Sequence, residues 1–350
     1  MSWEHYVSIA EHVSKIVQKY DKRLESLEQR RREQQTKQQI AREKEELRKK
    51  FAETCNSDLG LALSSQFVDR VTVWWFRNDL PRRDDARYEV YVPVVKGLTI
   101  QELGKVCEGI DFRPNFSQIS SSSWLGLEVD FELLTPWYSR DDRVFHVLDN
   151  PVRKDRILGV PYMSAASWKG MLRWVCRMQA GLREHLQNGK SFEDWNDPPW
   201  VLHLFGHERA KSMHEEFCQG SLVFYPTWFD RIGFEVINPH SRRRRAGTQP
   251  IHYEVVPPGA KGTLNLLYAP LPGVARRNGV TVTEVIEKLL KAVRELLTTY
   301  GISARRTVGW GTAKIERWKA YRKDCQPIEK PNLFEFWSEL QTWFSSEVGP

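Results

Sequence analysis

The chain has 350 residues, a length typical of about two domains with at least one large hydrophobic core. With 41% apolar and 28% charged residues, the composition excludes wholesale disorder, and the five scattered cysteines exclude a disulfide-stapled miniprotein. No apolar run is long enough to span a membrane and the first residues do not resemble a signal peptide, so we expect a cytoplasmic protein. The net charge of +7 and the 14 tryptophans favour a polyanionic partner such as nucleic acid, because bases stack on aromatic rings beside cations.

Residues 1–54 predict a helical arm. Apolar residues recur at steps of three and four up to residue 28, which is typical of an amphipathic helix with a coiled-coil-like seam. The seam consists of Tyr6, Ile9, Val13, Ile16, Tyr20, Leu24 and Leu27. From Glu28 to Lys50 the residues are mostly charged and polar, so a continued helix would bury little surface. We expect the first half of the arm to dock on a partner; the alternative is a flexible charged stalk.

Residues 55–123 predict a small extension that contains β structure. Segments 70–76 and 88–94 are rich in β-branched and aromatic residues and flank a polar turn with a proline, which indicates a hairpin. A short helix is predicted at 99–107. Residues 114–123 are polar and include four consecutive serines, so we interpret them as a linker.

Residues 124–320 predict a domain of alternating strands and helices. Apolar residues alternate over 125–133 as in a half-buried strand, and a helix is predicted from Ser164 to Ala180. Further strands are predicted at 220–225, 251–256, 262–268 and 310–318. Thr281 and Glu284 have capping-box spacing before an amphipathic helix that Gly301 ends. This order predicts an α+β fold of the ferredoxin-like kind with inserted loops, and a C-terminal helix at 331–345 within residues 321–350.

The segment from Leu148 to Arg173 carries the most specific chemistry. A loop rich in acidic and basic residues leads into a predicted helix whose first turns contain Ser167, Lys169 and Arg173. Free backbone N–H groups and the positive end of the helix dipole favour phosphate at such a position, and the cationic side chains add to the attraction. An ordinary surface helix preceded by an Asx-type turn at Asp149 is the alternative from these residues alone.

Five fragments in this chain resemble, in order, the motifs of the RAMP superfamily, whose members form the backbone of type III CRISPR effector complexes. The first comprises Asp149-Asn150-Pro151-Val152, Asp155, Pro161-Tyr162 and the Ser167-x-Lys169-Gly170-x-Leu172-Arg173 run. The others are Leu204-Phe205-Gly206, the strand after Gly220, the Glu254-to-Ala260 turn and the glycine-containing loop from Arg305 to Gly311. The resemblance covers residues 125–318. It implies an RNA-recognition-like core that binds a CRISPR guide RNA and a target RNA beside other effector subunits.

The resemblance also implies roles for individual residues. The guide-binding set is Ser167, Lys169, Arg173, Arg305, Arg306, Gly309 and Gly311. Asp149 stands where cutting members have their catalytic aspartate, so it is the candidate catalytic residue, with Mg²⁺ or Mn²⁺ as the cofactor and His146 as a secondary proton carrier. About 120 residues precede the matching region, which favours a specialised or terminal subunit that does not cut.

A basic loop between predicted strands contains Arg242, Arg243, Arg244 and Arg245. Four adjacent arginines can neutralise several phosphates, so they are further RNA-binding candidates. In RAMP relatives the equivalent insertion is a thumb that pushes between nucleotides. A solvated or protein-contacting loop is the alternative.

A possible zinc site is formed by His203, His207, His214 and Cys218, whose H-x3-H-x6-H-x3-C spacing is close to that of zinc ligands. Surface histidines are the competing interpretation, because paired cysteines are absent from this array.

The sequence leaves three functions open. The first is a guide-RNA-binding subunit that cuts target RNA at Asp149, and the second is a non-catalytic cap or scaffold of the same complex. The third is a guide-processing endoribonuclease that uses His146 as an acid or base, but no second proton-transfer group can be assigned to it.

Overall fold

The computed structural model describes residues 112–345 except 143–145, 147, 156–159, 208–218, 242–245, 248–249, 274 and 276–277, together with isolated positions between residues 15 and 92. The isolated positions from Lys15 to Lys50 are helical. The predicted arm as a whole, the hairpin at 70–76 and 88–94, and the helix at 99–107 lie outside the described residues. Within the described part of the chain, no helix is long and apolar enough to cross a membrane.

The chain forms two compact units. One comprises Met1–Ile110, Tyr138–Tyr162 and Phe229–Pro257, and the other Asp111–Trp137, Met163–Trp228 and Pro258–Pro350. We call them the insertion unit and the sheet unit. The predicted domain boundaries at 54, 123 and 320 stay a prediction.

The sheet unit contains a five-stranded antiparallel sheet. In chain order its strands are β1 (Leu125–Leu133), β3 (Leu222–Phe224), β9 (Lys261–Tyr268), β10 (Ala313–Tyr321) and β11 (Ile328–Lys330). In space the order is β11-β10-β1-β9-β3, and each neighbouring pair is antiparallel. The predicted mixture of helices and antiparallel strands is therefore confirmed.

Helices complete the sheet unit. They are α1 (Ala165–Gln179), α2 (Leu182–Gln187), α3 (Pro199–Phe205), α4 (Val282–Glu295), α5 (Leu333–Leu340) and α6 (Thr342–Ser345). A π-helical turn, Leu296–Tyr300, extends α4 to Gly301, whose φ of 77° allows the chain to leave the helix. Thr281 is the N-cap of α4, but its side chain makes no capping hydrogen bond, so the predicted capping box is wrong. Two further short strands are β2 (Tyr162–Met163) and β4 (Thr227–Trp228).

The core lies between one face of the sheet and the helices. The alternation in β1 buries Leu127, Val129 and Phe131 on the same face, because side chains two residues apart in a strand point the same way. Phe131 meets Trp168 of α1 edge to face, with ring centroids 6.2 Å apart. Trp318 of β10 stacks on Phe336 of α5 at 5.8 Å.

The other face of the sheet is polar. Asp130 accepts hydrogen bonds from Thr263 (2.6 Å) and from Nε of Arg317 (2.8 Å), and Arg317 also binds Glu329 at 3.0 Å. At one end this face is covered by Phe116, which lies so close to Gly126 that a Cβ there would approach the Phe116 ring to 2.7 Å. The residues predicted as a linker thus contain a 3₁₀ turn, Phe116–Gln118, whose apolar residue packs on the sheet.

The insertion unit contains a second antiparallel ladder. Strand β5 (Gly233–Ile237) pairs with β8 (Ile251–Val255), and β6 (His240–Ser241) pairs with β7 (Ala246–Gly247). The rings of Tyr138 and Tyr253 meet edge to face at 5.0 Å. Single bridges join Arg140 to Val152 and Lys154 to Pro161, so the segment predicted as a long loop is hydrogen-bonded at several points.

Gly311 provides a test of the backbone in the sheet unit. Its φ is +86°, its oxygen accepts the N–H of Ile302 at 2.9 Å, and a Cβ would overlap the backbone nitrogen of Ser303. We expect Gly311→Ala to lower the free energy of unfolding by about 2 kcal/mol or more, from strain and overlap combined. Gly170→Ala is the control, since nothing lies within 4 Å of a Cβ there and alanine favours the exposed helix by about 1 kcal/mol. Denaturant unfolding measures the stability of both variants. Equal stabilities of Gly311→Ala and Gly170→Ala would contradict the close packing of Gly311.

Candidate nucleic-acid interface

Helix α1 begins at the predicted position. Ser164 is its N-cap, and the Ser164 hydroxyl accepts the backbone N–H of Ser167 at 3.2 Å. The two serine hydroxyls are 2.9 Å apart, so the predicted RNA-binding oxygen of Ser167 already has a partner at the cap. Lys169 is exposed in the next turn and, within the described residues, is not paired with a carboxylate. Lys169 therefore offers its charge to solvent, as a phosphate-binding residue must.

Arg173 has a different environment. Its guanidinium is buried and binds Asp197, with Nη2–Oδ2 at 2.6 Å and Nε–Oδ2 at 3.2 Å. Arg177 binds both oxygens of the same carboxylate, at 2.6 and 2.8 Å, and the indole N–H of Trp195 donates to it at 2.8 Å. Burial alone would raise the pKa of Asp197, but the donors from Arg177, Arg173 and Trp195 outweigh it and lower the pKa to about 2. Arg173 thus joins α1 to the segment before α3. This structural role was not expected from its predicted role in RNA binding.

The loop after Gly301 brings two arginines onto aromatic rings. The guanidinium carbon of Arg305 lies 5.6 Å from the centroid of Trp310, and that of Arg306 lies 4.3 Å from the centroid of Trp174. Trp174, on α1, also meets Tyr300 edge to face at 4.9 Å. We call Trp174, Tyr300, Arg305, Arg306 and Trp310 the aromatic–arginine cluster. All five are partly exposed.

Sequence reasoning missed Trp174 and Tyr300 as members of this cluster. The excess of tryptophans signals stacking sites in general, but nothing in the spacing joins residue 174 to residue 306. The two predicted glycines of the loop also differ. Gly309 is exposed with φ +85° and nothing within 4 Å of a Cβ, whereas Gly311 is buried against Ile302 and Ser303. Gly311 therefore lacks a side chain because of contacts within the chain, and only Gly309 keeps the predicted open backbone.

Asp149 lies in the insertion unit, exposed on a turn of residues 148–150. The amide of Asn150 donates to the His252 oxygen at 3.1 Å, and the Asn150 oxygen accepts the N–H of Glu254 at 3.0 Å. The first and fourth RAMP-like fragments thus meet in space. Asn150, the residue after Asp149, is thus tied to β8 through both its side chain and its backbone.

A buried ion pair supports this turn. Lys154 Nζ lies 2.8 and 2.6 Å from the two oxygens of Glu254, and their side chains are only 1% and 0% exposed. Oε2 of Glu254 also accepts the N–H of Val152 at 3.0 Å. Sequence reasoning read Lys154 as a surface cation and Glu254 as a motif residue; their partnership could not be seen without the fold.

His146 is buried in the same unit, and its Nδ1 accepts the N–H of Leu148 at 3.0 Å. In the neutral imidazole this bond leaves the proton on Nε2, and the role of His146 as a proton carrier stays a prediction.

Of the four predicted zinc ligands, the structure describes His203 and His207. His203 is fully buried: Nε2 lies 2.8 Å from the Tyr268 hydroxyl, and Nδ1 lies 3.3 Å from the Asn278 amide. Burial lowers the pKa of His203 and raises that of Tyr268. With both ring nitrogens in hydrogen bonds, His203 does not fit a zinc ligand. His207 is described, while His214 and Cys218 lie outside the described residues, and no group of three His, Cys, Asp or Glu within the described part could hold a metal.

The four adjacent arginines, Arg242 to Arg245, also lie outside the described residues. Their flanking strands β6 and β7 pair directly, with His240 opposite Gly247 and Ser241 opposite Ala246. The RNA-binding role of the four arginines stays a prediction.

Comparisons with known proteins give a family match. The model of the RAMP superfamily matches residues 130–314, which confirms the resemblance predicted over 125–318. No curated protein sequence matches the chain.

Three of the solved structures similar to this chain are CRISPR complexes. A chain of the type III-B Cmr-beta complex bound to cognate target RNA is 16% identical, with a TM-score of 0.39, over 57% of this chain and 61% of that one. The match to the type III-A Csm3-Csm4 subcomplex is 17% identical, with a TM-score of 0.37, and covers 66% of this chain and all (100%) of that one. A CRISPR RNA-guided surveillance complex is 13% identical, with a TM-score of 0.39, over 64% of this chain and 82% of that one. The chain therefore spans less than two thirds of the Cmr-beta chain.

The Asp197 cluster predicts acid sensitivity. The pKa of Asp197 is lowered from 3.8 to about 2, so its contribution to stability is complete above about pH 4 and disappears as the pH falls to about 2. The loss attributable to this group is about 2 kcal/mol. Denaturant unfolding across this pH range measures it.

The matched variant is Asp197→Asn. It should be less stable at neutral pH because two buried guanidinium groups lose their carboxylate, and its stability should fall less steeply between about pH 4 and pH 2. A variant with the same slope as the wild type would show that Asp197 is not the titrating group.

Proposed function

The chain belongs to the RAMP superfamily, and from this premise we propose that it binds a CRISPR guide RNA as a subunit of a type III CRISPR interference complex. The observation that carries the proposal is the aromatic–arginine cluster, in which Arg305 and Arg306 lie over tryptophan rings on a partly exposed surface. Arginines neutralise phosphates and aromatic rings stack bases, so the cluster suits a single-stranded RNA.

The proposed core is ferredoxin-like, of the RNA-recognition-like kind. Chain order supports this: β1, α1, β3, β9, α4 and β10 follow the strand-helix-strand-strand-helix-strand pattern. The spatial order also agrees, since β1 lies between β10 and β9, with β3 outside β9 and β11 added at the other edge. The polar face of the sheet is occupied by ion pairs around Asp130. We therefore propose that RNA binds at the aromatic–arginine cluster and not on the sheet.

Individual residues then have separate tasks. Lys169, Arg305 and Arg306 bind phosphates, Gly309 lets the RNA backbone approach the chain closely, and Arg242 to Arg245 remain further RNA-binding candidates on the strength of their charge. Ser167 and Gly311 support the local backbone. Arg173 acts through Asp197 by fixing α1, so its substitution would lower stability as well as RNA binding.

Charge reversal tests the guide-binding proposal. Lys169→Glu should weaken guide RNA binding about tenfold or more and reduce the slope of log affinity against log salt by about 1, because one phosphate contact is lost. Lys190→Glu is the control, since Lys190 is an exposed lysine of the same unit outside the proposed surface. Fluorescence anisotropy with labelled RNA at several salt concentrations measures both. Equal losses from the two variants would mean that only net charge matters and would count against a site at Lys169.

We further propose that this subunit cuts target RNA at Asp149 in the assembled complex. The specific observation is an exposed carboxylate on a turn that is tied to β8 and supported by the buried Lys154–Glu254 pair. Mg²⁺ commonly binds through one or two carboxylates plus phosphate oxygens, so Asp149 fits Mg²⁺ or Mn²⁺ held jointly with RNA. When bound, the ion would offset the charge that develops on the phosphate.

The proposed reaction is a transesterification within the RNA. The 2′-hydroxyl loses its proton, its oxygen bonds to the adjacent phosphorus, and the bond from phosphorus to the 5′ oxygen breaks. The leaving oxygen takes up a proton, so the products are a 2′,3′-cyclic phosphate and a 5′-hydroxyl. Asp149 orients the 2′-hydroxyl in this scheme.

Asp149→Ala should abolish cleavage of a guide-complementary RNA by the purified complex and change RNA binding less than about twofold, since the group acts mainly in the transition state. Asp142→Ala is the control, because Asp142 is an exposed acid of the same unit. Gel analysis of cleavage with and without chelator is the measurement. Unchanged cutting by Asp149→Ala would move the reaction elsewhere, with His146 next to be substituted.

The remaining alternatives give different outcomes in the same assay. If the wild-type complex binds matched RNA but never cuts it opposite this subunit, the chain is a non-catalytic cap or scaffold. Cleavage of the guide precursor by the chain alone would instead identify a guide-processing ribonuclease.

A further inference from the structure

We propose that Trp174 is a positioning residue that holds the Arg306 guanidinium ready for a phosphate of bound RNA. This inference rests on the proposed RNA-binding function and adds a residue that the RAMP-like motifs do not include. It concerns how the charge is presented: Trp174 holds Arg306, and base stacking is left to the other aromatic rings of the cluster.

The first observation is the stacking geometry. The Arg306 guanidinium carbon is 4.3 Å from the Trp174 centroid, closer than Arg305 to Trp310 at 5.6 Å or Lys288 to Trp200 at 5.3 Å. Trp174 is fixed in turn by α1 and by its edge-to-face contact with Tyr300 at 4.9 Å. The ring that receives the guanidinium therefore has a defined orientation.

The second observation concerns the hydrogen bonds of Arg306. Its Nη1 is buried and has no acceptor among the described residues, although the residue as a whole is partly exposed. No carboxylate in the described part of the chain pairs with this guanidinium. A buried N–H without an acceptor is unfavourable, and a small shift that brings a phosphate oxygen within reach would satisfy it. The charge and the free donor together point to an anionic ligand.

The physical consequence is preorganisation. A flexible arginine loses side-chain freedom when it binds a phosphate, and that loss weakens binding. An arginine already stacked on an aromatic ring has lost part of that freedom before RNA arrives, and its planar donor edge stays available. Trp174 should therefore strengthen RNA binding only when Arg306 is present.

The experiment is a double-mutant cycle on the full-length chain with a single-stranded RNA oligonucleotide, measured by fluorescence anisotropy at several salt concentrations. Trp174→Leu should weaken binding about three- to tenfold, the range expected for a lost cation–π contact, and Trp174→Phe should recover part of that loss. Arg306→Ala should weaken binding about tenfold and reduce the salt slope by about 1. The double variant should bind no more weakly than Arg306→Ala alone.

Trp200→Leu is the matched control, because it breaks another tryptophan–cation contact of the same unit and should leave RNA binding unchanged. Arg306→Lys is a second test that leaves Trp174 intact. Lysine keeps the positive charge but cannot stack on the ring as a plane, so RNA affinity should fall while the salt slope stays the same. Thermal unfolding confirms that each variant is folded. If Trp174→Leu is not folded, Arg306→Lys decides.

Three results would overturn the inference. They are wild-type affinity in Trp174→Leu, wild-type affinity in Arg306→Lys, and additive losses in the double variant, which would mean that Trp174 contacts RNA on its own. Failure of the wild-type chain to bind RNA would instead refute the proposed function, so the two failures are distinguishable.

Discussion

A charge removed from water needs a partner inside the protein, and this constraint decides which basic residues of the chain can still bind an anionic ligand. Asp197 engages Arg173 and Arg177, and Glu254 engages Lys154. These three cations stabilise the fold, although in the sequence they stand among residues suited to phosphate. Lys169 and Arg306 differ because the described residues provide no carboxylate for them. Residue type alone therefore does not tell which lysines and arginines can bind an anionic ligand.

Much of the sheet unit could be predicted because its signals are local. The alternation in residues 125–133 specifies which face of β1 is buried, and the serine cap specifies where α1 begins. Strand β10 lies at Ala313–Tyr321, displaced from the predicted 310–318, because Gly311 still packs against Ile302 and Ser303 before the strand begins. Helix α3 and strand β11 were missed, since their few residues are too short for a periodic pattern.

The candidate sites were predictable as segments but not as contacts. Motif resemblance placed Asp149 and Glu254 in separate fragments of the sequence. The two fragments meet because the backbone of Asn150 is hydrogen-bonded to β8. Likewise the zinc hypothesis used spacing, and the structure shows that His203 is held by Tyr268 and Asn278 in the core. Burial and hydrogen-bond partners are set by tertiary structure, so residue type and spacing alone cannot supply them.

The motif residues of this chain therefore divide by exposure into two physical classes. Buried ones such as Glu254 and Gly311 keep the backbone in place, because a substitution would leave an unpaired charge or an overlap. Exposed ones such as Asp149 and Lys169 lie at the surface, where a ligand can reach their side chains. Trp174 stands between these classes: part of its ring packs against Tyr300, and part receives Arg306. Its proposed effect on ligand binding acts through Arg306, so motif comparison alone does not find it.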